Sequence, residues 1–68
     1  MAHQPTRLRE ARLAAGLTQQ ALADRIGARQ PHVARWESGA HEPRARMAVR
    51  VSEVLGTTAN ALWPVERA

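Results

Sequence analysis

A chain of 68 residues has room for one domain with a thin core, since a protein this small buries only about 60% of its unfolded surface. It has no Cys, Phe or Tyr and only two Trp, which excludes a disulfide framework, a Cys-based zinc site and a deep aromatic cofactor pocket. All ten basic residues are Arg, and against six acidic ones they leave a net charge of +4, which favours a polyanionic partner.

The opening "MAHQPTRLRE" lacks the apolar core of a signal peptide, and no apolar run approaches the roughly 20 residues needed to cross a bilayer. A cytoplasmic protein without membrane association is expected. Residues 1–5 read as a flexible arm. Pro5 or Thr6 opens a first helix to about Ala15, with Leu8, Ala11 and Ala15 on one stripe, Leu13 off it, and Gly16 as the stop. Thr18 is the N-cap of a second helix over 19–26 that buries Leu22, Ala23 and Ile26. The capping box is half built, because Ala21 stands where Glu or Gln would complete it.

Gly27 supplies the positive φ of a tight turn into a third helix over 30–38. Pro31 is tolerated in its first turn, where the backbone N–H has no helical partner. The faces of this helix are sorted: Val33 and Trp36 point inward, while Gln30, Pro31, Ala34, Arg35 and Ser38 line the other side. After Gly39 and a loop, a fourth helix over 44–55 turns Ala45, Ala48, Val51, Ser52 and Leu55 inward, and Gly56 ends it. Thr58 caps a last short helix carrying Leu62 and Trp63, and residues 64–68 form a short tail. Helices without strands give an all-α fold.

The strongest signal is a spacing. Ala23, Gly27, Val33 and Trp36 follow A-x3-G-x5-V-x2-W: a small residue for close helix approach, a bend, and two anchors for the following helix. Two helices so joined form a helix-turn-helix, whose second helix projects its outer face into a major groove.

The stretch "LREARLAAGLTQQALADRIGARQPHVARWESG" resembles the Cro/C1-type, or XRE, family of helix-turn-helix proteins. The matching pieces are Leu8-Arg9 with Arg12, "GLTQ" at 16–19, "LA" at 22–23, Gly27 and "WESG" at 36–39, continued by Pro43 and "LG" at 55–56. The resemblance implies a compact five-helix, lambda-repressor-like DNA-binding domain over residues 6–63 and a homodimeric transcriptional regulator reading an inverted-repeat operator. It implies that Gln19 clamps a phosphate, that Gln30, Pro31, Ala34 and Arg35 face base edges, and that Arg12 and Glu37 form a structural pair between helices 1 and 3. Arg44 matches a loop position that approaches the backbone or minor groove. Arg9, Arg29, His32 and Ser38 join the expected backbone contacts, Arg29 replacing a capping Ser or Thr with an extra cation. Pro31 and Ala34 have no side-chain donor, so base reading falls to Gln30, suited to adenine, and Arg35, suited to guanine. Glu42 departs from a loop that is commonly basic, and Ala59 and Ala61 from bulkier residues at the dimer seam.

Trp36 and Trp63 read as core anchors and Met47 as a gap filler. His3, His32 and His41 have no metal-ligand spacing, and no cofactor is expected. Arg7, Arg46 and Arg50 read as solvated charges, with Arg46 and Arg50 on one face and open to a phosphate role. With no nucleophile beside a base, no paired carboxylates and no phosphate-cradling glycine loop, an enzyme is not expected. The rival reading is an antitoxin-like or protein-interaction module using Leu13 and the C-terminal "LWPVERA".

Overall fold

The structure, a computed structural model, describes residues 6–64. Five helices follow one another: α1 (Leu8–Ala14), α2 (Gln19–Ile26), α3 (Gln30–Ser38), α4 (Ala45–Leu55) and α5 (Ala59–Leu62). There is no strand among the described residues. The fold is therefore an all-α five-helix bundle. The expected arm over 1–5 lies outside the described residues, as does the tail beyond Pro64.

Local chemistry sets most boundaries. The Thr18 hydroxyl accepts from the Ala21 N–H at 2.9 Å and the Thr58 hydroxyl from the Ala61 N–H at 3.1 Å, so each satisfies a donor that the helix itself leaves free. At the end of α2, Gly27 takes φ +74° and the Ala28 N–H turns back to the Ala23 carbonyl at 2.9 Å. That is the bend between α2 and α3. α1 starts later than the sequence suggests, at Leu8: the Arg7 N–H donates to the Leu62 carbonyl at 2.9 Å, tying the start of α1 to the end of α5.

The core comprises Leu8, Leu22, Ala23, Ile26, Val33, Trp36, Val51 and Leu62. Each large apolar side chain buried there contributes roughly 1.5–3 kcal/mol. Ala23 is fully buried where α2 and α3 pack, so its methyl group sets how closely they approach. Two inward assignments need correction. Ala15 is exposed, because it caps α1 rather than continuing it; Arg12, one turn after Leu8, takes the buried position. Ala45 is also exposed: it is the first residue of α4, and burial there begins with Met47 and Ala48. Ser52 is buried as read, its hydroxyl donating to the Val49 carbonyl at 2.7 Å.

Candidate nucleic-acid interface

The site is built outward from Arg12. Its side chain is buried against Glu37 of α3, with Nε and Nη2 donating to the two carboxylate oxygens, the latter at 3.1 Å. Nη1 donates to the Leu17 carbonyl at 2.8 Å. The hydrogen bonds to Glu37 raise the Arg12 pKa above its ordinary value, and Coulomb attraction adds to them against the opposing effect of burial. Arg12 is thus a permanent cation with its donors aimed at fixed acceptors. One guanidinium joins α1, the α1–α2 loop and α3.

Glu37 passes the connection on. Its Oε1 also accepts from Gln19 Nε2 at 3.0 Å, and Gln19 Oε1 accepts from Gln30 Nε2 at 2.7 Å. A continuous chain, Arg12–Glu37–Gln19–Gln30, therefore runs from inside the domain to the first residue of α3. The family resemblance implies the Arg12–Glu37 pair but not the two glutamine links. The one available signal was that an amide both donates and accepts, so Gln19 is able to relay between a carboxylate and a second amide.

On α3 the outward side chains divide by exposure. Pro31, His32, Arg35 and Ser38 are exposed, and Gln30 and Ala34 are half-buried. The Ser38 hydroxyl is engaged locally, donating to the Arg35 carbonyl at 3.0 Å and accepting from the Ala40 N–H at 3.3 Å. Arg29 precedes the helix in an extended conformation, and its guanidinium has no acceptor with which to cap. The compensation comes from His32, whose Nδ1 accepts the Arg29 N–H at 3.4 Å while its ring stacks on Trp36 with centroids 6.3 Å apart.

Two depressions flank the start of α3. A groove of about 690 Å³ runs between α2 and α3, lined by Gln20, Asp24, Arg29, Gln30 and Pro31 among others. Gln20 donates to the Asp24 carboxylate there at 2.8 Å. On the other side a cavity of about 320 Å³ brings Arg44 and Glu42 together with His32 and Trp36. Arg44, at the N-cap of α4, is exposed on this side. Arg9 is exposed on α1 and lines neither depression. The structure so gathers Gln19, Arg29, Gln30, Pro31, His32 and Arg44 around the N-terminal half of α3, with Ala34, Arg35 and Ser38 further along it, and leaves Arg9 apart.

Among the described residues no group of three or more His, Cys, Asp or Glu is placed to hold a metal, and no helix is long and apolar enough to cross a membrane. No curated protein matches the chain significantly. Solved structures do. Hydroxypropylphosphonic acid epoxidase from S. wedmorenis superposes with a TM-score of 0.74 at 34% identity, over 84% of this chain and 30% of that one. Fe(II) HppE gives 0.75 with the same identity and shares, and Fe(II) HppE in complex with substrate gives 0.74 at 34% identity, over 84% of this chain and 33% of that one. The chain thus spans about a third of the length of these solved relatives. The helix-turn-helix family pattern matches residues 8–62. A helix-turn-helix is a binding fold rather than a catalytic one, and it is generally associated with DNA binding and regulation. With its Ala23, Gly27, Val33 and Trp36 folded into the two joined helices, the chain belongs to the Cro/C1-type (XRE) helix-turn-helix family.

Proposed function

We propose that the protein is a small homodimeric transcriptional regulator of the cytoplasm that binds double-stranded DNA sequence-specifically, with α3 in the major groove. The observation that carries this reading is the hydrogen-bonded chain ending at Gln30. It holds a base-reading amide in place at the tip of α3, beside exposed Pro31 and Arg35, before any DNA arrives. Such preorganisation lowers the ordering cost of binding. Gln30 keeps its carbonyl oxygen and one N–H for adenine, and Arg35 offers a fork for guanine. Pro31 and Ala34 allow close approach and meet thymine methyl groups.

Backbone contacts complete the assignment. Gln19 has spent its carbonyl and one N–H on neighbours, which leaves its second N–H for a phosphate oxygen. Arg29, His32 and Arg44 are the other phosphate contacts beside α3, and Arg9 is a separate one on α1. Ser38, expected among them, has given its hydroxyl proton to the Arg35 carbonyl and has no donor left for a phosphate. The seam with a second copy is proposed over residues 57–65, of which 57–64 are described, beside a hollow of about 310 Å³ lined by Glu42, Pro43, Ala48, Ala59, Asn60 and Trp63. The indole N–H of Trp63 is buried and has no hydrogen-bond partner among the described residues.

Selection of bound duplexes from a random pool, followed by titration of the selected and a random duplex at fixed salt, tests the reading. A selected site bound at least a thousandfold more tightly than random DNA is the expected result, at the lower end of the usual specificity range of about 10³–10⁷. Equal binding of both overturns it. That outcome favours the interaction module instead, for which Leu13, 55% exposed, and the likeness to a third of an epoxidase chain are the supporting observations.

A further inference from the structure

The last carbonyls of a helix lack partners within it, and an unsatisfied end weakens whatever is hinged there. At the end of α2 both turn amides, those of Gly27 and Ala28, reach back to the Ala23 carbonyl. The Ile26 carbonyl, the last of the helix, is taken by a side chain from another element: Arg50 Nη1 of α4 donates to it at 3.3 Å. The guanidinium also lies over the turn itself, since a Cβ built on Gly27 would sit 3.9 Å from the same nitrogen. Its positive charge meets the negative end of the α2 dipole. The α4 backbone that carries Arg50 is anchored by the next two residues, Val51 and Ser52, both buried.

We propose that Arg50 is a positioning residue for DNA recognition, a strap from α4 that holds the α2–α3 turn at its binding angle without touching DNA. The inference rests on the DNA-binding reading and deepens it. The angle at residues 27–29 decides how α3 enters a groove. If the strap is lost, the turn must be ordered at the moment of binding, and affinity falls for every sequence alike. A phosphate contact would also lower affinity generally, but it would carry a counterion signature that a strap does not.

The test uses the full chain with Arg50→Met, which keeps the apolar stem and removes all donors, and Arg50→Lys, which keeps charge and a donor. Two quantities are read: amide hydrogen exchange at Ala28, whose N–H closes the turn, and the salt dependence of duplex affinity. In Arg50→Met, Ala28 is expected to exchange several-fold faster, and affinity for selected and random duplexes to fall by roughly threefold to tenfold, as for one lost hydrogen bond of ordinary net strength. The slope of log affinity against log salt stays that of the parent, and Arg50→Lys restores most of the protection at Ala28. A slope reduced by about one per half-site with unchanged Ala28 exchange would make Arg50 a phosphate contact and overturn the proposal. Unchanged exchange and affinity together overturn it as well. If the parent binds no duplex, the DNA reading fails, while exchange at Ala28 still decides whether Arg50 straps the turn.

Discussion

Arg12 and Glu37 have side chains only 8% and 7% exposed, so each charge depends on the other for the solvation that water would otherwise give. Removing one partner strands the other, at a cost of about 3 kcal/mol. Arg12→Ala is therefore expected to lower the melting temperature by roughly 12–24 °C in a domain of this size, measured by circular dichroism. A parent-like melt would remove the pair from the fold's support. Arg35 and Arg44 differ in a way that stability does not report. Arg35→Ala should cost about 1–3 kcal/mol on the selected duplex and less on random DNA, relaxing one position, a guanine. Arg44→Ala should weaken all duplexes alike and lower the salt slope by about one per half-site. Titration of both variants at two salt concentrations separates them, and an equal loss on every duplex for Arg35→Ala refutes its base-reading role.

At the level of elements, α2 and α3 act as a pair because their junction is short and their ends are unequal. α2 begins on a Thr18 cap and ends on a left-handed glycine, whereas α3 begins on Arg29, which has nothing to cap with. Arg29→Ser should supply the missing acceptor and stabilise the domain by about 1 kcal/mol in a chemical denaturation curve. The same change removes a cation from the groove beside α3, so duplex affinity should fall while stability rises. An unchanged or lowered stability would show that a Ser hydroxyl at this position caps no free amide of α3. At Gly27 there is room for a methyl group, the nearest atom to a built Cβ being 3.9 Å away, so only the left-handed backbone opposes substitution. Gly27→Ala is expected to cost about 1–2 kcal/mol, read from the same denaturation curve. A much larger loss would mean that the turn closes more tightly than the distance allows.

The whole molecule presents one α3 per chain, and one short helix reads too few base pairs for a specific site among many competitors. A two-fold dimer doubles the readout and places the two α3 helices about 34 Å apart, one turn of DNA. Selected sites should accordingly be inverted repeats with half-sites one turn apart, bound cooperatively. An isolated half-site bound as tightly as the full repeat in a gel-shift titration would rule out the dimer. Net charge acts at this scale too. An excess of four positive charges, all ten basic residues being arginine, favours polyanions of any sequence, so on the proposed reading sequence preference would rest on the few side chains of α3.

Much of this fold is decided locally and is legible without coordinates. α2 and α3 run over the residues that caps, glycines and 3.6-residue periodicity indicate, and the Ala23–Gly27–Val33–Trp36 spacing is enough to define their junction. These features depend on residues a few positions apart, where propensity, capping and turn chemistry act. The burial of Arg12 in place of Ala15 was not legible, because a two-turn helix offers no periodicity long enough to fix which residue faces in. Nor was the reach of Gln19 to both Glu37 and Gln30, or of Arg50 to Ile26: those partners lie 18, 11 and 24 positions apart. Long, flexible polar side chains have many rotamers and no preferred partner in sequence. Only the packing of α1 and α2 against α3, and of α4 against α2, brings their acceptors within hydrogen-bond distance, so the sequence alone determined the helix-turn-helix, and the tertiary structure decided which polar groups hold it.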